Sequence, residues 1–259
     1  MSLEQFQSLL PTFLLALVRV TGVVLFAPII GSRMLPARVK IIFSIALTVG
    51  LLPTITVPAG FSASMWMLAP ALACELGFGI VMGMAANFAF MAAQWAGEMA
   101  GQQMGFTLSG VMDPQTGSQG SVLGDFYLLL AIVVFLLING HHALVRSLRL
   151  SFDAVPLLGV TLDRNLLNVM VAMLQSATLL ALQLAAPLLV TMLIVDVALG
   201  VTARVVPQMN VLAMGLSVRS AIGLVVLLVI TAITATSLGT AMTNWMKLLG
   251  LLWKGTAGA

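Results

Sequence analysis

Apolar residues gather into six long runs along the chain, at 9–31, 41–59, 65–96, 123–139, 166–203 and 211–247. Each comes near or above the roughly 20 residues that a single membrane helix needs, so the pattern predicts about six helices and no strand. The breaks carry turn chemistry: "PIIGSRMLP" (28–36), "LPTITVPAG" (52–60), the polar stretch 97–122, "NGHH" (139–142) and "RVVPQMN" (204–210). No soluble domain stands out between them.

Three runs are too long for a simple crossing. At a rise of 1.5 Å per residue, 65–96 would reach roughly 48 Å and the last two about 55 Å each, against a hydrocarbon core of about 30 Å. Pro70 and Pro187 would shorten two of these by kinking, but the last run, after Pro207, contains no proline. We therefore expect a long antiparallel hairpin, 166–203 and 211–247, that extends beyond the bilayer or wraps a larger assembly.

Composition agrees with an all-α membrane protein of long, partly kinked helices arranged as hairpins. The chain is 61% hydrophobic and 7% charged, with a mean hydropathy of +1.14. A water-soluble domain is typically about 25% charged. The net charge of +3 comes from eleven cations spread along 259 residues, which form no run suited to nucleic acid. Cys74 is the lone cysteine, so there is neither a disulfide framework nor a cysteine metal cluster. The start, "MSLEQFQSLLPTFLLALVRV", has an acid in place of a basic n-region and reads as a retained first helix, not a cleaved signal peptide.

Charge then complicates the topology. In a strict six-crossing arrangement, Arg33, Arg38, Lys40, Arg204 and Arg219 would lie on one side and Arg146, Arg149, Arg164, Lys247 and Lys254 on the other. The two sides balance, so the positive-inside rule gives no orientation. Arg19, Glu75, Glu98, Asp125 and Asp196 lie within or at the edge of apolar runs, where a charge at a helix centre costs about 2.5 to 3.5 kcal/mol even on the lenient scale. Internal ion pairs that fix packing would satisfy them, as would a wet path or an interface with another subunit. Gln94, Gln102, Gln103, Gln175 and Gln183 add neutral polar groups that seek partners on neighbouring helices.

The stretch "GEMAGQQMGFTLSGVMDPQTGSQGSV" (97–122) contains no Lys or Arg. Gly97, Gly101 and Gly105 form two overlapping GxxxG units around Glu98, and Gly79 with Gly83 forms another. That spacing bares one helix face to a close neighbour. After Gly105 the pattern changes: Phe106 and Met112 alternate with polar residues, Asp113-Pro114 stops any helix, and Gly110, Gly117 and Gly120 supply hinge freedom. Irregular backbone at membrane depth survives only where protein buries it or water bathes it, which points to a pore-side loop.

Catalytic chemistry finds no support. His141 and His142 are adjacent without a third ligand, and a helix start after Asn139-Gly140 explains them. HExxH, the phosphate loop and the nucleophile elbow are all missing. Seventeen methionines, among them Met99, Met104 and Met112, suit either membrane-core filling or a deformable seal.

Four stretches, "APIIGSRMLPARVKIIFSIALT", "AGEMAGQQMGFTLSGVMDPQTGSQGSVLGDFY", "NGHHALVRSLRLSFDAVP" and "APLLVTMLIVDVALGVTARVVPQMNV", together resemble the FliR family of flagellar type III export-gate subunits, including its injectisome relatives. The resemblance runs in order over nearly the whole chain. It implies a non-enzymatic, cofactor-free subunit in a hetero-oligomeric helical assembly with FliP and FliQ, with the FlhB switch protein at the cytoplasmic side. Such a gate sits in the bacterial inner membrane at the flagellar basal body and passes unfolded flagellar proteins. The resemblance also implies a FliP-like part (1–165) carrying a pore plug (106–122), and a FliQ-like hairpin (166–259). It makes Phe106, Gly110, Met112, Asp113, Pro114, Gly117 and Gly120 plug residues, and Asp196, Arg204, Pro207, Gln208 and Asn210 inter-subunit contacts. "VLAMGLSVRS" departs from the family pattern, with Leu212 and Ser217 in place of an aromatic and a proline. A small-molecule or ion transporter is the alternative from another class, but the matching halves with interrupted helices typical of transporters are not visible.

Overall fold

Seven helices make up the secondary structure of the computed structural model, which describes residues 3–32, 35–55, 65–106, 121–159, 164–205 and 211–255. They are α1 (Leu3–Phe26), α2 (Ala37–Leu51, followed by the 3-10 turn Leu52–Thr54), α3 (Met65–Met104), α4 (Val122–Leu137), α5 (Gly140–Ala154), α6 (Arg164–Val205) and α7 (Val211–Gly255). No strand occurs among the described residues. The protein is a helical membrane protein: four helices are long and apolar enough to cross a bilayer, and α4 with α5 makes a fifth if that broken pair counts as one span.

The elements depart from the apolar runs in three places. The run 41–59 is α-helical only to Leu51 and then tightens into the 3-10 turn Leu52–Thr54, where Pro53 has no N–H to continue the α-helical ladder. The run 65–96 continues as helix to Met104, since Glu98, Gln102 and Gln103 are good helix formers despite their polarity. The third difference is α5, which lies outside every apolar run. Its buried positions Ser147, Leu148, Ser151 and Phe152 recur at helical spacing among polar residues, and Asn139, in the left-handed conformation at φ 56°, separates it from α4.

Helix length is the most unusual property of the fold. α3, α6 and α7 have 40, 42 and 45 residues, so each is roughly 60 Å or more from end to end, about twice a hydrocarbon core. Pro70 and Pro187 are accommodated inside α3 and α6. Thr191 Oγ1 donates to Pro187 O at 2.8 Å and Thr231 Oγ1 to Leu227 O at 2.6 Å, the back-bonding by which a hydroxyl is satisfied within its own helix.

The chain divides into two compact units. One comprises Met1–Phe88, Asn139–Leu174 and Thr243–Ala259, the other Ala89–Ile138 and Gln175–Met242. In the first, Leu15, Val20 and Val24 of α1 share a core with Phe78 and Met82 of α3 and with Leu148 and Phe152 of α5. Three glycines let the backbones of α1 and α3 touch: a Cβ on Gly22 would lie 2.8 Å from Leu76 O, one on Gly79 would strike Arg19 O, and one on Gly83 would lie 2.7 Å from Val23 O. Trp245, buried on α7, donates its indole N–H to Ala85 O at 2.8 Å.

In the second unit, Ala89, Ala92, Ala93, Ala96 and Ala100 form a buried small-residue face on α3. Phe90 meets Phe135 of α4 edge to face, with ring centroids 5.2 Å apart. Leu188, Met192, Leu238 and Met242 are fully buried on α6 and α7. The outer faces of these two helices carry Leu193, Ile194, Val197, Leu228, Val229 and Ile233 exposed on the isolated chain. So much contiguous apolar surface calls for lipid or a protein neighbour.

Candidate functional site: buried charge and the anchored end of α3

Arg19 and Glu75 are both completely buried, in the first unit. Arg19 Nε donates to Glu75 Oε2 at 2.5 Å, while Nη1 donates to Ser151 O at 3.2 Å and to Val155 O at 2.9 Å. Those carbonyls belong to the last turn and cap of α5, where the chain's own helical donors have run out and the helix dipole is negative. The guanidinium carbon also stands 4.9 Å from the Phe78 ring centroid and 4.6 Å from that of Phe152, so two aromatic faces share its charge. Glu75 Oε1 accepts from the backbone N–H of Leu158 at 3.1 Å. Leu158 has φ 71°, an uncommon conformation for a residue with a side chain. One ion pair thus ties α1, α3, the end of α5 and the turn after it. The described partners of the pair are main-chain groups and two aromatic rings.

The second unit fixes the end of α3. Gly105 N–H bonds Gln102 O at 3.2 Å and Phe106 N–H bonds Gly101 O at 3.0 Å, the paired bonds of a Schellman motif, with Gly105 at φ 82° as its left-handed residue. Gly105 therefore terminates the helix, and a Cβ there would also strike Leu216 Cδ1 of α7. Gly97 and Gly101 meet the start of α4: a Cβ on Gly97 would lie 2.8 Å from Gly124 Cα, and one on Gly101 2.6 Å from Ser121 Oγ. Ser121 is the N-cap of α4 and accepts from Gly124 N–H at 3.3 Å. Glu98 accepts from Gln94 Nε2 at 3.2 Å, and its Cγ would lie 3.0 Å from a Cβ on Gly124. Ser220 of α7 donates to Met104 O at 3.0 Å, and the fully buried Met104 side chain fills the space above Gly223, with Sδ 2.7 Å from where a Cβ would stand. Gly101 thus takes part on both sides, its carbonyl accepting from Phe106 N–H and its bare Cα facing Ser121 Oγ.

Of the remaining sequence candidates, Asp196 Oδ1 and Arg219 Nη2 are 2.7 Å apart across α6 and α7, with side chains 35% and 39% exposed. Arg204 is exposed in the last turn of α6, and Asp125 in the first turn of α4. Phe106 is half-buried. Gly110, Met112, Asp113, Pro114, Gly117, Gly120, Pro207, Gln208 and Asn210 lie outside the described residues. His141 and His142 are exposed with ring centroids 4.2 Å apart, and no group of three or more His, Cys, Asp or Glu side chains gathers among the described residues.

Sequence reasoning missed Gly22, Ser121, Ser220 and Gly223. Ser121 had a readable signal, a serine before an apolar run with Asp125 in the first turn. The acceptors of Arg19 on α5 are main-chain oxygens and leave no trace in side-chain pattern.

The profile of the family described as bacterial export proteins, family 1, matches residues 10–245. The flagellar biosynthetic protein FliR of Bacillus subtilis (strain 168) is 32% identical over 227 residues, 85% of this chain and 86% of that protein. The protein of the same name from Escherichia coli (strain K12) is 30% identical over 227 residues, 85% and 84% of the two chains. The surface presentation of antigens protein SpaR of Shigella flexneri is 30% identical over 156 residues, 58% of this chain and 59% of that one.

Proposed function

The chain belongs to family 1 of the bacterial export proteins, and from that membership we propose that it is a non-enzymatic core subunit of the flagellar type III protein export gate. In this reading it helps form the pore through which unfolded flagellar proteins leave the cytoplasm, and it supplies a plug. The observation that carries the reading is the match to flagellar relatives over most of both chains, which leaves a transporter unsupported. FliP and FliQ are its sister subunits and FlhB its switch protein, all in the bacterial inner membrane at the flagellar basal body. Residues 1–165 play the FliP-like part and 166–259 the FliQ-like part. Helices about twice the thickness of the hydrocarbon core and bare apolar outer faces suit a subunit wrapped by such neighbours.

The segment 106–122 is the plug: Phe106 and Met112 exclude solvent, and Gly110, Asp113-Pro114, Gly117 and Gly120 let the chain swing aside. The hydrogen bond of Phe106 to Gly101 and the capping role of Ser121 support this, because a plug needs fixed posts. Asp196, Arg204, Pro207, Gln208 and Asn210 contact neighbouring subunits at the hairpin bend. Replacing 107–120 by a short linker, then following membrane potential in cells that assemble the gate, tests the plug. An ion leak is expected, and unchanged conductance with normal assembly would remove the plug from the proposal.

A further inference from the structure

Within the second unit, one face of α7 holds the end of α3. The two Schellman bonds there use the carbonyls of Gln102 and Gly101, so neither serves the carbonyl of Met104, the residue just before the left-handed Gly105. Ser220 does: its Oγ lies 3.0 Å from Met104 O and equally 3.0 Å from Leu216 O of its own helix. A hydroxyl has one proton to give, and the Leu216 carbonyl keeps it satisfied whenever the end of α3 moves off. Gly223 receives the Met104 side chain, with Cγ 2.5 Å and Cε 2.6 Å from where a Cβ would stand. Leu216 packs on Gly105, where a Cβ would strike its Cδ1. Leu216, Ser220 and Gly223 follow at steps of four and three and so share one face of α7. Phe106, the next residue after Gly105, is bonded through its own N–H to Gly101 O, so its place follows from where this cap is held.

We propose that Ser220 and Gly223 are positioning residues for the plug, acting through Met104 and Gly105 to set where Phe106 stands. The proposal rests on the reading of 106–122 as a plug. It assigns the root of that plug to a helix far along the chain, so that a displacement of α7 reaches Phe106 through one hydrogen bond and one side chain seated on a glycine.

The test measures ion flux through the native complex reconstituted in vesicles, together with its thermal midpoint, for Ser220→Ala, Ser220→Thr, Gly223→Val and the chain with 107–120 replaced by a linker. Ser220→Ala should raise the flux about fivefold, the effect of one net hydrogen bond on a closed-open balance, with assembly and midpoint unchanged. Ser220→Thr, which keeps the hydroxyl, should stay closed, and Gly223→Val, which displaces Met104, should leak more than Ser220→Ala. A leaking linker variant beside a tight Ser220→Ala overturns this inference and leaves the plug standing. A tight linker variant removes the plug and this inference with it. A leak that Ser220→Thr shares, or one that only accompanies a lower midpoint, marks Ser220 as packing alone and also overturns the proposal.

Discussion

Two ion pairs among the described residues each include a charge visible in apolar sequence, and the structure treats them in opposite ways. Arg19–Glu75 is sealed from solvent and hydrogen-bonded to the main chain of α5 and of Leu158, with Arg19 Nη2 as its one unmatched donor nitrogen among the described residues. Asp196–Arg219 joins two helices of a hairpin, and both side chains remain more than a third exposed on the isolated chain. A buried pair costs desolvation and persists because its other hydrogen bonds are met, so breaking it leaves a naked charge in the core. An exposed pair contributes little by itself. The first is therefore a contact that the fold depends on, while the second adds little to the fold of the isolated chain.

The largest effect should come from Glu75→Ala, which strands the Arg19 charge and the Leu158 N–H. We expect a loss of about 3 to 5 kcal/mol, read as failure of the purified complex to survive mild heating. Arg19→Met combined with Glu75→Met should cost less than the sum of the single changes. Equal additivity would show that the two side chains act separately.

Next comes Gly79→Ala, which drives a Cβ into Arg19 O and must part α1 from α3. Overpacking of this kind costs about 1 to 3 kcal/mol, measured as a lower midpoint of thermal unfolding in detergent. Gly105→Ala should cost about 1 to 2 kcal/mol, because an L side chain is disfavoured at φ 82°. Hydrogen exchange should rise at the last turn of α3 and hardly at its middle.

Asp196→Asn should change the stability of the isolated chain by less than about 1 kcal/mol. A marked drop in the fraction of chain recovered in complex would sharpen the contrast between the two pairs. A large loss of stability without any loss of assembly would break it.

Much of the architecture was legible beforehand for a simple reason: long apolar runs have few fates, and a membrane helix is the commonest. The over-long helices, the hairpin of α6 and α7 and the charges needing partners could all be counted from positions alone. α5 could not be read that way. Its buried face is half serine, so no apolar run marks it, and the residue that detaches it from α4, Asn139, looks like an ordinary turn residue. Gly105, the third glycine of the packing series, lies close against Leu216, and its backbone also caps the helix. Spacing identifies a shared face but says nothing of φ. Arg19 found Glu75, and Asp196 found Arg219, through tertiary proximity that sequence separation hides.

The central claim, membership of a hetero-oligomeric export gate, is tested most directly by weighing the complex. The tagged chain, extracted from its host in mild detergent, should appear by native mass spectrometry within one large assembly that also contains FliP and FliQ. A monomer or homodimer, stable alone and further stabilised by a small solute, would contradict it.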